Sequence, residues 1–259
     1  MGLVETELRR IIRPPFEVIV VLVGNGLLAT ALWLFSPVGL SDLVFSVHSE
    51  FLFPTVLASW MLADVPATNQ LAPDGAEVIR RLDDPEAITM LLRAKQTALW
   101  LLVTPVSLAA AIWVGIDSNK GLTIALTVAW VATVPLAGLG LSCFIGVRWP
   151  YHPIPLKERW AQRRRWRTML LRWGILVLLP YGLVPLVGLI ALIPPGIIYA
   201  LFHGSASVTH DEFRAIFVGG LVAIPLAVWI WRWGTARAGR LAYERRDALV
   251  AYLSDPSLG

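Results

Sequence analysis

The sequence predicts an all-α, polytopic membrane protein with six transmembrane helices and with both termini in the cytoplasm. Only 15% of its 259 residues are charged and its mean hydropathy is +0.66, whereas a soluble domain carries about 25% charged residues. Six apolar stretches are long enough to cross a bilayer, because about 20 helical residues span the hydrocarbon core. The predicted spans are residues 16–36, 43–63, 97–116, 121–147, 173–193 and 215–233.

Positive charge alternates between the segments that connect these spans. Nineteen of the 22 Lys and Arg residues lie in the N-terminal arm, the second and fourth connecting segments and the tail, and only two lie in the other three segments. Because Lys and Arg accumulate on the cytoplasmic side, this pattern predicts an even number of spans and two cytoplasmic termini. The basic residues flank membrane segments, so we expect them to meet the lipid bilayer and its anionic phospholipid rather than nucleic acid.

The chain is short enough to form a single transmembrane domain over residues 1–259. We expect an interfacial elbow at 1–15 and a cytoplasmic tail helix at 234–259, with no separate catalytic domain. The first span could instead be a signal peptide, because Ala29-Thr30-Ala31 resembles a cleavage site. Its removal would disturb the charge alternation, so we favour a retained span.

Several segments on the predicted cytoplasmic side have helical patterns. The spacing of Asp74 and Glu77 is that of a capping box and predicts a short helix over 75–83. Asp84-Pro85 predicts the start of a second helix that runs into the third span. The elbow, the tail and the fourth connecting segment are basic and amphipathic, a pattern typical of helices on the inner leaflet. The expected contacts with anionic lipid are Arg163, Arg164, Arg165 and Arg167.

A few polar residues lie at membrane depth, where such groups are candidates for function. Asn25, Glu50 and Asp64 are therefore candidate pathway residues. Asn25 can also be interpreted as a hydrogen bond between helices, and His48 and Glu50 as interfacial groups. The predicted spans contain no chain of acidic residues, which argues against a proton-coupled pump.

The sequence lacks the common catalytic motifs. It contains no P-loop, no His-Glu-x-x-His and no Gly-x-Ser-x-Gly, so it predicts neither an enzyme nor a bound cofactor. His203, His210, Asp211 and Glu212 form only a weak candidate metal set. The single cysteine, Cys143, is interpreted as a small buried residue. Gly138, Ser142 and Gly146 form a stripe of small residues that predicts close packing of the fourth span on a neighbour.

The layout resembles that of ABC-2-type permeases, the six-span membrane subunits of ATP-binding-cassette exporters. The similarity rests on the elbow at 5–13, the helical loop at 75–83, the apolar piece at 196–202, the stretch 69–103 and Arg148-Trp149-Pro150. It implies a permease that pairs as a homodimer or with a similar subunit. It also implies that a separate ATPase subunit contacts Val78, Ile79, Arg80, Arg81 and Leu82.

Two other functions are compatible with the same residues. The chain could be a non-catalytic integral membrane subunit, or an assembly factor, of a larger membrane complex that docks on the same cytoplasmic helices. It could also be a lipid-handling enzyme that uses His48, Glu50 and Asp64 as acid–base groups. Helical rise would separate His48 from Asp64 by about 20 Å, which is too far for one site.

Overall fold

A computed structural model describes residues 2–35, 52–117, 121–152, 154–165, 167, 169–182 and 208–255. All regular structure in these residues is helical, which confirms the predicted fold class there. Three of the described helices are long and apolar enough to cross a membrane, and a fourth helix is apolar but shorter. The three are Glu17–Phe35, Pro85–Val114 and Thr127–Arg148, and the shorter helix is Met169–Gly182.

We number the described helices in chain order. They are α1 (Leu3–Ile11), α2 (Glu17–Phe35), α3 (Leu52–Met61), α4 (Val65–Thr68), α5 (Gly75–Arg81), α6 (Pro85–Asp117), α7 (Gly121–Arg148), α8 (Leu156–Ala161), α9 (Met169–Gly182), α10 (Val208–Glu244) and α11 (Arg246–Ser254). A single 3-10 turn, Ala72–Asp74, precedes α5.

The helices account for part or all of each predicted span. The first, third and fourth spans correspond to α2, α6 and α7. The sixth lies within α10, which continues without a break into the predicted tail. The second and fifth spans are described only from residue 52 and only to residue 182, and the apolar piece at 196–202 lies outside the described residues.

Local signals predicted where α5 and α6 begin, but only one of the two predicted capping interactions is present. Asp84 Oδ1 accepts a hydrogen bond from the backbone N–H of Glu86 at 2.8 Å, as expected of a residue that caps a helix beginning at Pro85. Helix α5 also begins where predicted, but the Asp74 side chain makes no capping hydrogen bond. The capping-box interpretation of Asp74 is therefore wrong, and its carboxylate is used elsewhere.

Glycines allow α7 and α10 to pack backbone against backbone. A Cβ atom added to Gly140 would lie 2.8 Å from the Cα of Trp231, and one added to Gly234 would lie 2.8 Å from the carbonyl of Gly140. The predicted stripe of small residues also packs closely, because a Cβ on Gly146 would collide with the backbone of Thr68 in α4. The contact with α10, however, uses Gly140, which is not in that stripe.

Two large apolar clusters, and a smaller one between α7 and α10, hold the described helices together. The first joins α1, α2, α3, α6 and α7 and includes Leu22, Leu57 and Val103. The second joins α5, α6, α7, α10 and α11, with Val78, Leu82, Leu92, Val147 and Leu249 among its members. The second cluster places α11, near the end of the described chain, directly over α5.

Candidate functional site at the junction of α5, α6 and α10

Lys95 is a buried cation in the part of α6 that precedes the predicted third span. Its side chain is only 3% exposed. Its Nζ donates hydrogen bonds to the backbone carbonyl of Gln70 at 2.8 Å and to Asp74 Oδ2 at 2.5 Å. An unpaired ammonium at this depth would be strongly destabilising, so these two acceptors are what allow α6 to carry a charge here.

Asp74 extends the charged network to the elbow helix α1. Its Oδ2 also lies 3.2 Å from an Nη atom of Arg10, whose Nε donates to Glu7 Oε2 at 2.9 Å. Glu7 is buried, whereas Arg10 is partly exposed. Charged groups therefore connect α1, the 3-10 turn and α6 in one continuous set, Glu7, Arg10, Asp74 and Lys95.

Gln96, the residue after Lys95, connects α6 to α10. It is fully buried, and its Oε1 accepts hydrogen bonds from Trp231 Nε1 at 2.6 Å and from Thr235 Oγ1 at 2.9 Å. Its Nε2 donates to Gln70 Oε1 at 3.2 Å. A single amide thus joins three segments that are far apart in the sequence. We call Gln70, Asp74, Lys95, Gln96, Trp231 and Thr235 the junction network.

The five residues expected to contact an ATPase divide between the interior and the surface. Val78 and Leu82 are almost completely buried beside Leu249, so the tail of the same chain already covers them. Ile79 and Arg81 are half-buried, and Arg80 is exposed. The surface that a partner could reach on α5 is therefore charged rather than apolar.

Glu77 organises the charged surface of α5. Its carboxylate accepts hydrogen bonds from both Arg80 and Arg81, and these bonds lower the pKa of Glu77 below its ordinary value. Nearby, Arg246 of α11 pairs with Asp83 at 2.6 Å. Because Arg80, Asp83 and Arg246 are exposed and Glu77 and Arg81 are partly exposed, the pairs contribute little to stability and remain available to a charged partner.

Of the three candidate pathway residues, the structure describes Asn25 and Asp64. Asn25 is 9% exposed and its Oδ1 accepts a hydrogen bond from Tyr181 Oη at 2.8 Å, which confirms the predicted helix–helix hydrogen bond. Asp64 lies after α3, and its carboxylate accepts from the N–H of Val65 at 2.7 Å. Burial raises the pKa of Asp64 above its ordinary value. Glu50, like His48, lies outside the described residues.

The four arginines expected to contact lipid are all exposed. Helix α8 ends at Ala161 and turns follow, so Arg163, Arg164 and Arg165 lie in a turn rather than in the predicted amphipathic helix. Arg167 is also exposed. Their exposure fits contact with a lipid surface. In the described part of this segment Leu156–Ala161, residue 167 and the start of α9 are helical, and the turn separates α8 from the rest.

A second set of polar side chains, centred on Arg159 and His152, holds the fourth connecting segment against α9 and α11. Arg159 is 3% exposed, donates to the backbone carbonyls of His152 and Ile154, and lies over the rings of Tyr151 and Trp173. His152 stacks on Tyr252 with a ring separation of 4.6 Å. Burial raises the pKa of Tyr252 to about 12.

The described residues contain no group of three or more His, Cys, Asp or Glu that could hold a metal ion. His203 lies outside them, and the side chains of His210, Asp211 and Glu212 are likewise not described. Cys143 is buried, as predicted.

Sequence reasoning missed most of the junction network. Lys95 and Gln96 form a polar pair directly before the predicted third span, and that signal could have marked them as candidates. Trp231 lies in the predicted sixth span, and no sequence pattern connects it to Gln96. Comparison with known proteins adds no relationship, because no protein family, curated protein or solved structure matches this chain.

Proposed function

We propose that this chain is the membrane-spanning permease subunit of an ATP-binding-cassette exporter. In this proposal six helices cross the membrane, both termini are cytoplasmic, two copies pair, and a separate ATPase docks on the charged surface of α5. The observation that supports it best is the continuity of α6. This helix runs for 33 residues, or about 50 Å, from the contacts with α5 into the predicted third span.

A permease must pass movement from its ATPase to the helices in the membrane, and α5 is well connected for this task. Leu82 at the end of α5 and Ile88 at the start of α6 belong to one buried cluster. Two helical turns further along α6, the junction network ties the helix to α1 through Asp74 and to α10 through Gln96. Displacement of α5 would therefore move α6 and α10 as a packed unit.

The docking surface would be recognised by charge. Arg80, Arg81, Glu77 and Asp83 present both signs within α5 and the turn after it. Complementary charges favour fast and specific association between subunits. We expect the ATPase to offer an acidic group to Arg80, the most exposed of the two arginines.

The experiment is affinity purification from native membranes of the wild type, of Arg80→Glu/Arg81→Glu and of Arg93→Glu. Arg93 is exposed on α6 but lies outside the α5 surface, so it controls for charge reversal. An ATPase recovered with the wild type and with Arg93→Glu, and lost from the double variant, would support the proposal.

Recovery of other membrane subunits without any ATPase would reject the permease assignment in favour of a non-catalytic subunit or assembly factor. The topology is tested separately with single cysteines placed at positions 164 and 118 in a Cys143→Ala background. Labelling of position 164 by an impermeant thiol reagent applied from outside the cell would overturn the proposed orientation.

A further inference from the structure

A cavity of about 450 Å³ lies where α7, α9 and α11 meet. This volume falls in the range of small-molecule sites. Its polar side is formed by Arg148 at the end of α7, Arg172 in α9 and Arg245 between α10 and α11. These arginines come from three separate parts of the chain, so the fold, rather than a run of basic sequence, concentrates the positive charge.

Among the described residues, no negative charge balances the arginines of this cavity. No acidic residue is found among the described residues that line it, and no described carboxylate pairs with Arg148 or Arg172. Arg245 donates to the backbone carbonyls of Val147 and Arg148 at 3.3 and 2.7 Å, which holds its guanidinium at the end of α7. Guanidinium groups in such an arrangement match the oxygen atoms of a phosphate.

The other side of the cavity is apolar and aromatic. Trp149, Trp173 and Leu176 contribute to its lining. Beyond it, α9 exposes Leu171, Ile175 and Leu178, each more than half exposed. Tryptophan favours the level of the lipid headgroups, so the cavity combines an anion-binding end with an apolar surface suited to an acyl chain.

We propose that this cavity is a binding site for one anionic phospholipid, whose phosphate lies between Arg148 and Arg172 and whose acyl chain follows α9. Basic pockets between membrane helices on the cytoplasmic side bind lipid headgroups in this way. Arg148 and Arg172 are also exposed, but they differ from the arginines at 163–167, which would meet the bilayer surface in general, because they line this cavity. It does not depend on the proposed transport function.

The test measures thermal unfolding of the detergent-purified protein with added phosphatidylglycerol, phosphatidylcholine or soluble glycerol phosphate. The variant is Arg148→Gln/Arg172→Gln. The matched control is Arg237→Gln/Arg240→Gln, which removes equal charge from exposed positions on α10 that are not part of the cavity lining. Arg245 is left unchanged because it also bonds to the end of α7.

We expect phosphatidylglycerol to raise the unfolding temperature of the wild type and the control, and its apparent affinity to fall at least about tenfold in the cavity variant. An equal loss of apparent affinity in the cavity variant and in the control would contradict the proposed site. It would indicate that the lipid is attracted to the positively charged surface in general. An equal response to phosphatidylcholine, or a full response to glycerol phosphate, would overturn the assignment to an anionic lipid.

Photo-crosslinking of the wild type tests the site without any variant that could misfold. A phosphatidylglycerol carrying a photoreactive acyl chain is expected to label peptides from Met169–Gly182. Labelling confined to other helices would contradict the proposed position of the chain.

Discussion

Asp74 Oδ2 lies 2.5 Å from Lys95 Nζ, and the two partners are unequal, because Lys95 is 3% exposed and Asp74 is 18% exposed. Asp74 also has Arg10 as a second cation, whereas the remaining acceptor of Lys95 is the carbonyl of Gln70. The stability of the protein should therefore fall by different amounts when Asp74 or Lys95 is replaced.

We predict that Asp74→Asn destabilises the protein by about 3 kcal/mol, because it leaves a buried ammonium without its carboxylate. Lys95→Met should cost less, because Asp74 keeps Arg10 and partial contact with solvent. The measurement is denaturant or thermal unfolding in a fixed detergent, with Asp83→Asn as the exposed control. Equal losses for Asp74→Asn and Lys95→Met would show that the pair is not asymmetric.

The Gln96 side chain is predicted to contribute more to the free energy of unfolding than either of the hydrogen bonds that its oxygen accepts. Gln96→Leu should cost about 2–3 kcal/mol, because Trp231 Nε1 and the Gln70 amide lose their partner inside the protein. Trp231→Phe should cost about 1 kcal/mol from the lost hydrogen bond alone. In a double-mutant cycle of Gln96→Leu and Trp231→Phe, the combined loss of stability should be smaller than the sum of the two single losses. Strict additivity would argue against the hydrogen bond between Trp231 and Gln96.

The contact between α7 and α10 is predicted to leave no room for a methyl group at position 140. Gly140→Ala should destabilise by about 1–3 kcal/mol, because the new Cβ would lie 2.8–2.9 Å from the Trp231 backbone. Gly24→Ala in α2 is the matched control, since its Cβ would meet nothing within 4 Å, and helix propensity there favours Ala. Similar unfolding temperatures for the two variants would contradict the close packing.

Asp64 provides a prediction about pH. Burial raises its folded-state pKa above the unfolded value of 3.8, so its stabilising contribution is complete below that value and is lost as the pH rises through the folded pKa. Asp64→Asn keeps an acceptor for the Val65 N–H and stays neutral. We therefore expect Asp64→Asn to unfold at a higher temperature than the wild type at pH 7, with the difference shrinking towards pH 4.

Asp64→Ala separates the two roles of this side chain. It removes the charge but also the hydrogen bond to Val65, a loss that costs about 1 kcal/mol at a helix start. Unfolding is followed at pH 4, 5.5 and 7 for both variants. A difference between Asp64→Asn and wild type that does not change with pH would rule out the carboxyl as its source.

Elements governed by neighbouring residues could be predicted from the sequence. The starts of α5 and α6, the apolar helices α2 and α7 and the buried position of Asn25 all follow from patterns within a few turns. The role of Asp74, however, could not be predicted from its neighbours in the sequence. Its spacing to Glu77 favoured a cap, but a buried Lys95 needs the carboxylate more than an N–H at a helix start that water can reach.

Contacts between distant parts of the chain could not be predicted in the same way. Gln96 and Trp231 are 135 positions apart, and nothing in either local pattern identifies the other as its partner. The burial of Val78 and Leu82 likewise depends on α11. The expectation that these two residues face an ATPase came from the resemblance to ABC-2-type permeases. The amphipathic pattern of α5 shows only that an apolar face is covered and does not identify what covers it.

The position of α11 has a consequence for biosynthesis. Leu249 and Leu253 close over α5, yet they leave the ribosome long after Val78 and Leu82 do. Until then the apolar side of α5 is open to chaperones, proteases and premature partners. Removal of residues 246–255 should therefore shorten the lifetime of the newly made chain in the cell, which a pulse-chase comparison with the full-length protein would reveal.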